Sequence, residues 1–134
     1  MTTIAMSRPL RLILLADAAA SGATAALLVA GAGVLERLFG LPIALMHEAG
    51  LLLIPYVVLV VFVASRPSVA VAAVNAIITI NAVWTAASVL LLTSGWVAPT
   101  LLGVAFVLAQ ALAVGAFAVI QYVCLRQASR GAIA

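Results

Sequence analysis

Asp17, Ser21 and Thr24 stand at spacings of i, i+4 and i+7, and Asn81, Trp84, Thr85 and Ser88 at i, i+3, i+4 and i+7. On a helix each set falls on one face. Tyr56 follows a proline, and Gln110, Val114, Phe117 and Gln121 make a further stripe. Asp17 could exchange a proton or hold a cation, and the amides, hydroxyls and indole could donate hydrogen bonds to it. His47 and Glu48 are neighbours, so on a helix their side chains diverge by about 100°. One histidine and scattered acids are too few for a metal site, which needs about three or four protein ligands. A serine–histidine–acid set is excluded too, because Asp17 and His47 fall toward opposite membrane faces. Cys124 is the single cysteine. It rules out an intramolecular disulfide and reads as a small apolar residue near a helix end. The chain is therefore expected to be no enzyme, with no catalytic residue, no metal and no cofactor.

These groups sit in an extremely apolar background. Of 134 residues, 68% are hydrophobic and 7% charged, against roughly 25% charged in soluble domains. A water-facing shell cannot be built from such side chains, so the expectation is an all-α integral membrane protein. Apolar runs cover 10–34, 43–65, 69–93 and 100–125, each long enough for the roughly 20 residues of a membrane span. They end at "FGLP", "SRPS", "SGWVAPT" and Arg126, where glycine and proline supply turn chemistry. Short connections make neighbouring helices antiparallel, giving one domain over 1–134, a four-transmembrane-helix antiparallel bundle. In the second run, 43–49 is expected to be helical but interfacial, with His47 and Glu48 reaching water on the periplasmic side. Pro55 removes a backbone donor within the span and predicts a kink.

Six arginines, with no lysine, fix the direction. Four crossings put Arg8, Arg11, Arg66, Arg126 and Arg130 on one side and Arg37 on the other. The positive-inside rule then places both termini in the cytoplasm, with the lipid bilayer of a bacterial cytoplasmic (inner) membrane as the surrounding partner. Trp96 and Tyr122 fit the two aromatic belts. The arginines sit at the ends of apolar runs and form no patch, which excludes nucleic acid as a partner. The basic, apolar start resembles a signal peptide, but Asp17 and the length of the run argue against removal. Met6 could serve as an alternative start at no cost to the spans.

A repeat emerges when "DAAASGATAALLVAG" (17–31) is set above "NAVWTAASVLLLTSG" (81–95). Asp17 faces Asn81, Ser21 faces Thr85 and Thr24 faces Ser88, while Ala18, Ala23, Leu27, Leu28 and Gly31 recur as identities. This reads as a duplicated helical hairpin, a parallel repeat about an axis along the membrane normal, with Tyr56 and Gln110 as an equivalent pair in the second helices. Chance resemblance between two alanine-rich helices is the competing account. The polar stripes should face one another, since an unpaired polar group in hydrocarbon costs several kcal/mol. Ala18 with Gly22, and Ala111 with Gly115, are small-xxx-small pairs that let backbones approach. Counting about 1.5 Å per residue from Arg11 places Asp17 on the order of 10 Å inside the cytoplasmic face.

Three roles fit this inventory. An accessory, scaffold or assembly role, with a homo-oligomer or a larger membrane protein as partner, is placed first. Transport or conduction, with Asp17 as the proton- or cation-coupling group, is second. In size, number of spans and an acid in the first helix the chain looks like the small multidrug resistance transporters, which use a first-helix glutamate and a third-helix tryptophan. Asp17 stands where that glutamate would be, and Trp84 lies in a different residue context. The resemblance is one of plan, and the activity is not carried over from it. Third is binding of a lipid or hydrophobic ligand in a cavity at Pro55, near Tyr56, Trp84 and Gln110.

Overall fold

In hydrocarbon a lone backbone segment can satisfy its N–H and C=O groups only as a helix, and this chain complies. The computed structural model describes residues 2–133. Strand β1 (Thr3–Ala5) precedes helices α1 (Arg8–Ala30), α2 (Ala32–Phe39) and α3 (Ile43–Ala64). Strand β2 (Ser68–Ala70) follows, then α4 (Val71–Ser94) and α5 (Leu101–Ile133). Among the described residues, four helices, α1, α3, α4 and α5, are long and apolar enough to cross a membrane. That is the build of a multi-pass membrane protein.

The first run differs from its expected bounds. Helix α1 stops at Ala30, and Gly31 begins a separate helix. A Cβ on Gly31 would lie 2.7 Å from the Leu27 carbonyl oxygen, so only glycine fits this joint. Helix α2 presents Leu35 and Phe39 inward and Glu36 and Arg37 outward. It closes on Gly40 at φ 67°, a left-handed cap that glycine adopts without steric cost. Helix α5 overruns its expected end at 125, because no breaker follows Arg126 before Gly131. Helix α3 starts at Ile43, leaves His47 and Glu48 exposed, and continues through Pro55.

The strands are a second departure. β1 and β2 pair antiparallel, with Ile4 opposite Val69, and both side chains are buried. A start at Met6 would therefore remove one strand of this pair. Each strand is too short to carry a legible period-2 signal, and only the tertiary approach of 3–5 to 68–70 creates the ladder. Beside it Arg11 donates from Nε to the Ala64 carbonyl (2.9 Å) and from Nη2 to that of Arg66 (3.1 Å). A cation thus sits on the carbonyl end of α3, where the helix dipole favours it.

The long helices pack unequally. α1 lies along α3, α4 lies along α5, and α1 also meets α5, whereas α3 and α4 scarcely touch. Glycines set the close seams. A Cβ on Gly50 would stand 2.7 Å from Val29 Cγ2, and one on Gly103 would run into the Phe39 carbonyl. At that second joint the Thr100 N–H donates to the Phe39 carbonyl at 2.9 Å, and Phe39 stacks on Phe106 at 4.6 Å.

Candidate functional site

The polar stripes resolve into two clusters. In the first, Asp17 from α1 is 0% exposed and is hydrogen-bonded to its own helix and to all three other long helices. Ser21 Oγ donates to Asp17 Oδ1 at 3.1 Å. Asp17 Oδ2 lies 2.6 Å from Tyr56 Oη of α3, and accepts from Asn81 Nδ2 of α4 at 2.9 Å and Gln121 Nε2 of α5 at 2.7 Å. The ring is cross-braced: Asn81 Nδ2 also donates to Gln121 Oε1 at 3.0 Å, and Tyr56 Oη lies 2.8 Å from Asn81 Oδ1. Each helix brings its residue to this level because its inward stripe passes there. Leu10, Leu14, Val60, Val74 and Ile77, all sealed from solvent, form the apolar floor.

Among the described residues, every partner of the carboxyl group is uncharged. The arginine nearest in sequence, Arg11, is held by backbone carbonyls instead. Among the described residues no buried side-chain nitrogen or oxygen lacks a partner. Also among them, no group of three histidine, cysteine or acidic residues could hold a metal ion.

The second cluster joins only α4 and α5. Trp84 Nε1 donates to Gln110 Oε1 at 2.8 Å, Gln110 Nε2 donates to Ser88 Oγ at 2.8 Å, and Ser88 Oγ donates to the Trp84 carbonyl at 2.8 Å. Along α4 it stands about one to two turns from the first, on the same face. Gln110 was expected beside Asp17 and Tyr56; it lies at this other level and touches neither.

The remaining candidates behave differently. Thr24 turns its hydroxyl onto the Ala20 carbonyl of its own helix, and Thr85 does the same to Asn81 while reaching Ala111 at 3.4 Å. His47 meets the Val29 carbonyl at 3.1 Å and is exposed, as is Glu48. Cys124 is buried. Gln121 belongs to the first cluster yet was not among the expected site residues. Its signal was depth: it lies five residues before Arg126 as Asp17 lies six after Arg11, so the two share a level.

Two cavities follow the gap between α3 and α4. One, of about 390 Å³, is walled by Pro55, Tyr56, Leu59, Ile80, Asn81 and Trp84. The other, of about 300 Å³, runs from Trp84, Ser88 and Gln110 toward Met46 and Glu48. Leu52 and Trp84 line both, so they form one cleft with a waist. Its inner wall carries the first cluster through Tyr56 and Asn81. Its flank carries the second. The chain matches no protein-family model, no curated protein and no solved structure.

Proposed function

We propose that this protein binds a lipid-like amphiphile in the cleft between α3 and α4, its hydrocarbon against Leu52, Pro55 and Trp84 and its polar head at the Glu48 end. The observation that carries the reading is the unequal packing. Two seams close on glycine and alanine, while α3 and α4 stand apart around mostly apolar walls. Ligand sites are typically apolar clefts of roughly 300–1,000 Å³ with a few placed polar groups. Here those groups are Gln110, Ser88, Tyr56 and Asn81. The outward flanks, Leu51, Ile54 and Val58 on α3 and Val83 and Leu90 on α4, are exposed and apolar, so a bilayer chain could enter sideways without crossing water.

The reading takes the chain as an antiparallel four-helix bundle in a bacterial cytoplasmic membrane, both termini cytoplasmic. The arginine asymmetry supports that orientation. Duplication is supported by matched burial. Leu10 and Val74, Asp17 and Asn81, and Tyr56 and Gln121 are buried pairs offset by 64 or 65 residues. Gly50 and Gly115, each six residues before the last pair, face α1 and α4 respectively, the first long helix of each half. This register replaces Tyr56–Gln110 as the equivalent pair.

Native mass spectrometry of protein extracted in mild detergent tests the function. The wild type should retain a stoichiometric lipid, and Leu52→Trp, which fills the waist, should lose it while the melting temperature holds. A bare wild-type monomer would remove the reading. A retained protein chain would replace it with the accessory role, the cleft then receiving a partner's helix.

A further inference from the structure

Tyr56 has one hydroxyl hydrogen and two oxygens within reach, Asp17 Oδ2 at 2.6 Å and Asn81 Oδ1 at 2.8 Å. Both separations are hydrogen-bond lengths, and neither persists between oxygens without a hydrogen between them. The amides cannot supply the missing one by turning over. An inverted Asn81 would set its oxygen 2.9 Å from Asp17 Oδ2 and 3.0 Å from Gln121 Oε1. An inverted Gln121 would set its own 2.7 Å from the same carboxyl oxygen. An ionised carboxylate therefore leaves the cluster one hydrogen short.

We propose that the Asp17 carboxyl group carries a bound proton and that this proton is the latch holding α3 against α4. With the hydrogen on Oδ2, Asp17 donates to Tyr56 Oη and Tyr56 donates to Asn81 Oδ1. Asn81 and Gln121 still donate to Oδ2, and Ser21 to Oδ1. Every short contact then contains one hydrogen, which a protonated carboxyl group permits because it donates once and keeps acceptor capacity. Among the described residues, Tyr56 to Asn81 is the one hydrogen bond joining α3 to α4. When the proton leaves, the Tyr56 hydrogen turns to the carboxylate and the Tyr56 and Asn81 oxygens repel, so α3 and α4 stay joined here only through Asp17 Oδ2. Release of the proton and widening of the cleft are one event, so proton affinity and cleft width are linked reciprocally.

Among the described residues, the surroundings offer no other switch. α3 contributes Tyr56, α4 and α5 contribute the amides of Asn81 and Gln121, and Cys124 lies buried one turn beyond Gln121. Arg11 on α1 is occupied by the carbonyls of Ala64 and Arg66.

Asp17 is the only aspartate in the chain, so it can be labelled without mutation. Infrared spectra of the full chain in phosphatidylcholine nanodiscs, grown with ¹³C-aspartate, should show a deuterium-sensitive carbonyl band of a protonated carboxylic acid at neutral pH. The band should move with the label and be displaced in Tyr56→Phe. No label-sensitive acid band at neutral pH overturns the proposal. Spin labels at V58C and V83C, in a C124A background, should separate as pH is raised until the band disappears, and should lose that response in Tyr56→Phe. Disappearance of the band with no change in separation overturns the latch.

Discussion

The two polar clusters use the same kinds of side chain and share a face of α4, yet they do different work. Around Asp17, four helices each contribute a group, and the result is sealed, with Gln121 at 0% and Asn81 at 3% exposure. Around Trp84 only α4 and α5 contribute, and Gln110 and the indole remain half-buried against a cleft. The difference lies in who is missing. At the level of Trp84, α3 stands off and leaves space where a third helix would bring a partner. Polar residues of one type thus join four helices at one depth, where only Ser21, Tyr56 and Asn81 border the cleft, and join two at another, where Trp84, Ser88 and Gln110 all line it.

Substitution should separate the two clusters by size of effect. Asp17→Leu removes the carboxyl group to which Tyr56, Asn81 and Gln121 are all hydrogen-bonded. It should cost about 4 kcal/mol in reversible unfolding from mixed micelles, since each orphaned donor costs roughly 1–3 kcal/mol. A loss below about 1 kcal/mol would erase the contrast. Gly50→Ala, at the tight α1–α3 seam, should cost about 2 kcal/mol by overpacking. Ala87→Val adds more carbon on the cleft wall and should cost nothing measurable in the same assay. Gln121→Leu should cost about 1.5 kcal/mol, as one donor to the carboxyl group and one acceptor for Asn81 vanish. Gln110→Leu should cost only about 0.6 kcal/mol, the typical value of a polar contact between membrane helices. Its effect should instead appear in native mass spectra as a change in retained lipid.

Much of the first cluster was legible in the chain. Asp17, Ser21 and Asn81 announced an inward face because helical spacing is fixed and a polar stripe in hydrocarbon has nowhere else to turn. Tyr56 was legible for the same reason. Gln121 and Gln110 share one stripe of α5, and spacing alone cannot say which level of that stripe meets Asp17. That choice rests on how far α5 slides along α1, which the packing at Gly103 and Phe39 sets. Asn75 and Thr79 teach the converse. Both are polar, both are exposed, and Thr79 hides its hydroxyl on the Asn75 carbonyl. A hydroxyl with a local acceptor needs no partner helix.

The amino-acid order by itself determined the number of apolar helices, their approximate limits and the faces that carry hydrogen-bonding groups. Those follow from hydrophobicity and a helical period, both local properties. Only the tertiary structure decided that Gln121 and not Gln110 reaches Asp17, that residues 3–5 pair with 68–70, and that α3 and α4 stay apart. Each of these depends on the relative height and separation of helices distant in sequence. Such offsets are set by glycine contacts and side-chain volumes across interfaces, which no single segment encodes.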